Sequence, residues 1–346
     1  MNKEELMKVA GQFAIAEMLD CHLFGNGLIN DTYLVNTTNG KYVLQALNTN
    51  VFHDPCGVME NIERVTEHLE TKNDEQRCVL HLVHTEDGQN HVIGEDGKFY
   101  RMTVYIEDAL CLEKPEDPKD FYACGFAFGK FQKDLSDFDA SMLQETIPDF
   151  HNTPMRYAQL MESVKKDVAG RRKIVEKEIA FARDREAFTH VLVDAHLPLR
   201  VSHNDTKSSN VMLDAKTHGA LCVIDLDTIM PGLSVTDFGD AIRYGANYAS
   251  EDERDLSLVG INMELYQAFR KGFLAGNDGS LTDEEVRLLP YGAKMMALEQ
   301  GMRFLKDYLD GDIYYKTGYE EHNLVRARNQ FRLVEDMEAH WEEMCA

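Results

Sequence analysis

The spacing of apolar residues changes character twice along the chain, from helical to alternating near residue 30 and back to helical near residue 107. The first twenty residues, MNKEELMKVAGQFAIAEMLD, mix charged and apolar positions as an amphipathic helix does. Short runs of strand character follow. Asp31 to Thr38 and Lys41 to Leu47 flank Asn39-Gly40, a favoured hairpin turn. Cys78 to Thr85 and Gln89 to Gly94 flank Asp87-Gly88, and Lys98 to Ile106 follows Asp96-Gly97. An antiparallel sheet of about five strands is therefore expected. Between its two groups of strands, Pro55 to Leu69 sets Val58, Ile62, Val65 and Leu69 at helical spacing.

Beyond residue 107 a proline-containing link, Glu113 to Pro118, leads into an amphipathic helix from Phe121 to Phe138 and then into long charged helices. One hairpin interrupts them, Val211 to Leu213 and Ala220 to Ile224, with His218-Gly219 at its turn. The expected fold is α+β with two lobes: a small antiparallel β-rich N-lobe, residues 1–106, and a larger, mostly helical C-lobe, residues 107–346. A chain of 346 residues exceeds the usual single core, which agrees with two lobes and a cleft between them.

Charge narrows the partners. With 36 basic and 60 acidic residues the formal charge is −24, which repels nucleic acid and anionic membranes, so neither is an expected partner. A nucleotide site in such a chain must gather its few cations locally and recruit metal ions. The seven cysteines are scattered without a C-x-x-C pair, so reduced thiols in a cytoplasmic protein are expected. The opening segment lacks a signal-peptide core, and no run approaches the length of a membrane span. A monomer is expected.

The stretch VSHNDTKSSNVMLDAKTHGALCVIDLD, Val201 to Asp227, carries the chemistry. Asp205 is followed five residues later by Asn210, the interval of a kinase catalytic loop, and twenty residues later by Asp225 at the end of an apolar strand. Phosphoryl transfer asks the protein mainly to position reactants and neutralise phosphate charge. Magnesium prefers hard oxygen donors, which Asn210 and Asp225 supply, leaving Asp205 to accept the proton of an acceptor hydroxyl. Lys207 is placed to lie along the γ-phosphate of ATP as a point charge. Any one of these residues alone would be read as a cap or a surface carboxylate; the set with its hairpin and strand favours function.

Asp237-Phe238-Gly239 spells a protein-kinase metal motif, yet it stands beyond the strand end already held by Asp225 and opens a helical run, Asp240 to Ala246. It is expected to cap that helix or brace the catalytic loop. Near the N-terminus, Gly25-Asn26-Gly27-Leu28-Ile29-Asn30 has the G-x-G-x-x-N form, and a strand follows it where a dinucleotide fingerprint would need a helix. Gly25, Gly27 and Asn30 are therefore nucleotide-loop candidates. In the next strand Gln45 occupies the place of a phosphate-binding lysine, and Lys41 comes four residues too early. Tyr105 and Glu107, at the junction of the lobes, are assigned to the nucleotide as well.

These residues resemble the aminoglycoside phosphotransferase-like and choline kinase-like family, whose fold is similar to that of protein kinases. The resemblance runs nearly end to end, through GLINDTYLV, YVLQALN, HNDTKSSNVMLDA, IDLDTIMPG, DFGDAIRYGA, GMRFLKDYLDGDIYY and EHNLVRAR, and within the family it is closest to kinases acting at C1 of N-acetylhexosamines. It implies ATP, Mg2+ and a neutral amino-sugar acceptor, phosphorylated on its anomeric hydroxyl. It also implies Asp205 as base, Asn210 and Asp225 as metal ligands, and Tyr244, Arg303 and Tyr314 as sugar-pocket residues beside Asp205. Gln45 is normal for this subgroup, whereas Leu28 stands where a histidine facing the sugar is expected. Competing expectations are another small-molecule kinase of the same fold, an inactive nucleotide-binding module, and a metal-dependent hydrolase. Arg303 could instead pair with Asp307 at i+4, and Tyr244 and Tyr314 could be core aromatics. His81, His84 and His91 are expected to be cross-strand residues without a metal role.

Overall fold

Short local signals decide where each element of the N-terminal third begins and ends. In the computed structural model, which describes residues 3–25 and 30–346, helix α1 (Lys3–Ala10) buries Leu6, Val9 and Ala10. Strands β1 (Met18–Leu23), β2 (Asp31–Thr37) and β3 (Lys41–Leu47) follow, then helix α2 (Pro55–Glu70) and strands β4 (Val92–Ile93), β5 (Phe99–Val104) and β6 (Ala109–Leu110). Asp54 caps α2 by accepting the Gly57 amide at 3.0 Å, and Pro55 occupies its first turn, where no N–H is needed. β1 to β5 form an antiparallel sheet in the order β1-β2-β3-β5-β4. Its inner face holds Val35, Leu44, Tyr100 and Met102, all fully buried, against Leu6, Val9 and Phe13.

Three expectations are corrected here. The opening helix stops at Ala10, and Met18–Leu23 is instead the edge strand paired to β2. Only Cys21 of that strand is buried, so its sequence shows none of the alternation that marks a half-buried strand. The segment Cys78 to Thr85 makes only isolated bridges, Leu82 to Thr103 and Thr85 to Phe13, because its polar residues turn to helix α2. His81 meets Glu70 at 2.6 Å and His84 meets Glu63 at 2.6 Å, while His91 stacks on Phe99. The β2–β3 hairpin forms, but neither Asn39 nor Gly40 has a positive φ; the Thr37 hydroxyl donates to Gly40 O at 2.8 Å and closes a wider loop.

The rest of the chain comprises α3 (Pro118–Asp134), α4 (Thr153–Lys166), α5 (Glu176–Arg183), α6 (Glu186–Thr189), α7 (Val191–Asp194), β7 (Arg200–Ser202), β8 (Val211–Asp214), β9 (Ala220–Val223) and β10 (Met230–Gly232). Helices α8 (Ser234–Gly245), α9 (Met263–Asn277), α10 (Asp283–Asp310), α11 (His322–Ala339) and α12 (Trp341–Cys345) complete it. Two compact units result, and they are not consecutive halves: one is Met1–Cys111, Asp134–Pro148 and Val211–Pro231, the other Leu112–Lys133, Asp149–Asn210 and Gly232–Ala346. The β8–β9 hairpin thus packs with the sheet unit, where β6 pairs with β8 through Ala109–Asp214 and Leu110–Leu213. No helix among the described residues is long and apolar enough to cross a membrane.

The helical unit is built around α10. Its start carries a capping box, Thr282 with Glu285, and its end is closed by Gly311 at φ +97°. α8 approaches α10 through glycines: a Cβ on Gly239 would strike Gly292 O, and one on Gly292 would strike Val235 O. The glycine of the Asp237-Phe238-Gly239 triplet is therefore there for helix packing. Gly292→Ala should destabilise the protein by about 3 kcal/mol, the range of an overpacked core, and lower thermal unfolding accordingly. Gly40→Ala, whose new methyl meets nothing within 4 Å, is the control; equal behaviour of the two would show that the helices can part at no cost.

Candidate active site

The loop after β7 is held from below before it presents any side chain. His203 is fully buried, edge-on to the rings of Phe128 and Phe131 at 5.5 and 6.2 Å. Asp237, in the first turn of α8, accepts the backbone N–H groups of His203 at 2.9 Å and Asn204 at 2.8 Å. Gln132 donates to the same carboxylate at 3.2 Å, and Thr206 Oγ1 donates to Asp237 O at 2.5 Å. Of the two expected roles, Asp237 therefore braces the loop; Leu233, not Asp237, is the N-cap residue of α8. Asp240, one turn on, accepts the Thr206 N–H at 3.1 Å. Asn204 takes the left-handed conformation, φ +63°, which Asn tolerates better than most residues.

This brace presents Asp205. Its Oδ1 lies 2.8 Å from Lys207 Nζ, and the Asn210 amide donates to Asp205 O at 2.8 Å and Oδ2 at 3.3 Å. The structure so gathers three expected residues, Asp205, Lys207 and Asn210, in one loop. Burial alone would lower the Lys207 pKa; the charge and hydrogen bond of Asp205, then the charge of Asp240, outweigh it and hold the ammonium protonated. Burial would likewise raise the Asp240 carboxyl, but Arg243 at 2.7 Å and then Lys207 bring it below its ordinary value. Arg243 also meets Glu251 at 2.6 Å, so one guanidinium bridges two carboxylates behind the loop. Tyr244, next on α8, is half-buried, and burial pushes its pKa up.

In the sheet unit, Asp225 follows β9 in a left-handed conformation, φ +60°, an arrangement that costs a non-glycine residue about 1 kcal/mol and persists only where its surroundings hold it. Two residues on, Asp227 is fixed in the sheet unit. Asp227 is 4% exposed and is gripped by the equally buried Arg101 of β5 and by the Asn30 amide at 2.7 Å. Arg101 stands opposite Gln45 in the β3–β5 register, and its Nε donates to Gln45 Oε1 at 3.0 Å. Gln45 thus helps orient an arginine that is itself spent on Asp227. Asn30 also accepts the Asn48 N–H at 3.0 Å, which ties the end of the glycine-rich segment to the Asp225 turn. Lys41 pairs with Glu107 at 3.0 Å and lies over the Tyr105 ring at 5.4 Å. Phe24 meets Tyr105 edge-on at 6.0 Å, and Gly25 adopts φ +72°. Gly27 and Leu28 lie outside the described residues.

Arg303 and Tyr314 belong to the helical unit. Glu299, Arg303 and Asp307 follow one another at intervals of four on α10 and so share a face. Arg303 does not pair with Asp307, whose carboxylate accepts the backbone N–H groups of Ile313, Tyr314 and Tyr315 at 3.0, 2.8 and 2.9 Å. Tyr314 is 69% exposed and so is not a core aromatic. Tyr315 carries the half-buried ring there, 5.9 Å from the Arg303 guanidinium.

Each unit offers one of the two expected hard oxygens, and among the described residues no three histidines, cysteines or carboxylates stand together as a metal cluster. With its nitrogen turned to Asp205, the Asn210 amide oxygen has no donor among the described residues, and the Asp225 carboxylate is a second hard oxygen. Arg101, Asp227, Asp240 and Arg243 were missed in the sequence. Their signals were a lone charge inside the strand FYRMTV, the repeat of acid in IDLD, and an Asp-to-Arg interval of three inside the helix SVTDFGDAIRYG.

The sequence pattern of the phosphotransferase enzyme family matches residues 20–272, well over half of the chain. Among solved structures, the chain is similar to a spectinomycin phosphotransferase in complex with ADP and spectinomycin, at 12% identity and TM-score 0.66, covering 98% of this chain and 99% of that one. It is similar to a microcompartment-associated aminopropanol kinase at 15% identity and TM-score 0.61, covering 99% and 98%. An ethanolamine kinase from Plasmodium vivax matches at 16% identity and TM-score 0.56, covering 90% and 82%. At such identities the likeness establishes the kinase-like fold, a sheet-bearing N-lobe and a helical C-lobe.

Proposed function

Because the chain belongs to the phosphotransferase enzyme family, we propose that it transfers the γ-phosphoryl group of ATP to the anomeric hydroxyl of N-acetylglucosamine or N-acetylgalactosamine, as an N-acetylhexosamine 1-kinase. The observation that carries the chemistry is the Asp205 carboxylate, held by Lys207 and the Asn210 amide on a loop braced by Asp237 and Asp240. Asp205 takes the proton of the acceptor hydroxyl as the new O–P bond forms. The bond between the γ-phosphorus and the bridging oxygen breaks, and ADP leaves with the electron pair. Lys207 stays protonated and steadies both Asp205 and developing phosphate charge. Asn210 and Asp225 would hold Mg2+, which when bound neutralises charge on the phosphates.

The long motifs DFGDAIRYGA and GMRFLKDYLDGDIYY support the sugar as acceptor, with Tyr244, Arg303 and Tyr314 beside it. An anomeric hydroxyl is more acidic than an ordinary alcohol, so a carboxylate base suffices. Gly25, Gly27, Tyr105 and Glu107 are assigned to the nucleotide, and Asn30 and Gln45 act on it through Asp227 and Arg101. A second reading, another acceptor on the same machinery, is favoured by relatives named for spectinomycin, aminopropanol and ethanolamine. The test is an acceptor screen by ADP release with NMR of the product. The anomeric proton should couple to phosphorus, and a 1-O-methyl sugar should not be phosphorylated. Coupling to the C6 protons instead, or normal turnover of the methyl glycoside, would remove the 1-kinase assignment and leave the kinase.

A further inference from the structure

Side chains of alternating charge run outward from the Asp205 loop: Asp205, Lys207, Asp240, Arg243 and Glu251, all within the helical unit. Lys207 Nζ meets Asp205 Oδ1 at 2.8 Å, and the next carboxylate whose charge it senses is Asp240. Asp240 has both oxygens engaged. Its Oδ2 accepts the Thr206 N–H at 3.1 Å, and its Oδ1 accepts Arg243 Nε at 3.1 Å and Nη2 at 2.7 Å. The remaining nitrogen of that fork, Nη1, donates to Glu251 at 2.6 Å, on the segment that follows α8. Asp240 and Arg243 are buried, while Glu251 is half-buried. His151, the other basic side chain whose charge Asp240 senses, acts more weakly than Arg243 or Lys207. Asp237, one turn earlier on α8, is engaged by the N–H groups of His203 and Asn204.

Lys207 therefore stands between two carboxylates, the reactive Asp205 and the buried Asp240. A buried carboxylate that loses its cation draws in the nearest other one, because leaving it unpaired costs more than moving a flexible side chain. Burial would raise the Asp240 carboxyl, and the charge of Arg243, then that of Lys207, holds it below its ordinary value, so Lys207 is the cation to which Asp240 would turn. We propose that Arg243 is a positioning residue for phosphoryl transfer: by occupying Asp240 it leaves Lys207 to Asp205. Glu251 grips the far side of the planar fork and fixes it against Asp240, a double hold that a lysine ammonium could not reproduce. This rests on the phosphotransferase reading above and extends it to a residue that makes no hydrogen bond to Asp205, Lys207 or Asn210 among the described residues.

The experiment uses the full chain above neutral pH, with the best acceptor of the screen. Arg243→Gln should lower kcat by about 10-fold or more and leave the KM for ATP within about 3-fold. Asp240→Asn keeps an oxygen for the Thr206 N–H, so the two changes can be combined. The double variant should regain about 5-fold or more of the kcat lost in Arg243→Gln, because nothing is left to draw Lys207 away. Packing alone would make the double variant no better than the single. Where Arg243→Gln folds poorly, Arg243→Lys should show the same loss and the same recovery on a smaller scale. A second readout needs neither ATP nor acceptor: the nitrogen chemical shift of Lys207 Nζ, identified by its loss in Lys207→Arg. In the wild type it should move with Asp205→Asn; in Arg243→Gln it should move with Asp240→Asn instead. Unchanged kcat in Arg243→Gln, a double variant no better than the single, or a lysine signal that follows Asp205 in both backgrounds overturns the proposal. If the wild-type chain phosphorylates no acceptor, the kinase reading falls and the lysine signal alone decides what Arg243 does.

Discussion

Asp205→Asn should lower kcat by about 10²- to 10⁴-fold and leave the KM for ATP near the wild-type value. The substitution keeps the shape of the side chain and the loop brace, because His203, Asn204 and Thr206 are held through Asp237 and Asp240 and not through residue 205. What it removes is the proposed proton acceptor and the negative partner of Lys207. Thermal unfolding should change little, and the loss should appear in the chemical step. A variant keeping more than about a tenth of wild-type kcat would take Asp205 out of the mechanism as its base.

The second large effect separates two aspartates with similar sequence credentials. Asp225→Asn should cut turnover by on the order of 10²-fold or more and raise the magnesium concentration needed for half-maximal rate, since a metal ligand contributes several kcal/mol to the transition state. Asp237→Asn should act differently. Its carboxylate accepts from His203 and Asn204 on its two oxygens, and an amide can accept on only one. One backbone N–H would then face an NH₂ group in a fully buried place, a loss of about 2 kcal/mol in stability. Magnesium dependence should stay that of the wild type. A shifted magnesium requirement in Asp237→Asn at unchanged thermal stability, with none in Asp225→Asn, would exchange the two roles.

Much of the candidate site was legible because phosphoryl-transfer loops place their residues at short, fixed intervals. Asp205, Lys207 and Asn210 lie within six residues, and local geometry alone brings them together. Strand β1 was hidden because an edge strand burying one residue of six carries no periodic signal. The non-strand at Cys78 to Thr85 misled for the opposite reason: Val79 and Val83 are buried, but its hydrogen bonds and histidines go to neighbours far apart in sequence. Gln45 stands where a lysine was sought, and only the β3–β5 register shows that its side chain meets Arg101.

By itself the sequence determined the identity and order of the chemical groups, the hairpins at Lys41 and Ala220, and the helices whose apolar faces repeat every three or four residues. These are local properties, set by backbone sterics and by side chains within a turn of one another. Tertiary structure alone decided which charges cancel. Arg101 with Asp227, Arg243 with Asp240 and Glu251, and Glu299 with His151 and Thr153 are paired across the fold. Whether a buried charge is neutralised depends on what surrounds it in three dimensions, and spacing along the chain carries no record of that.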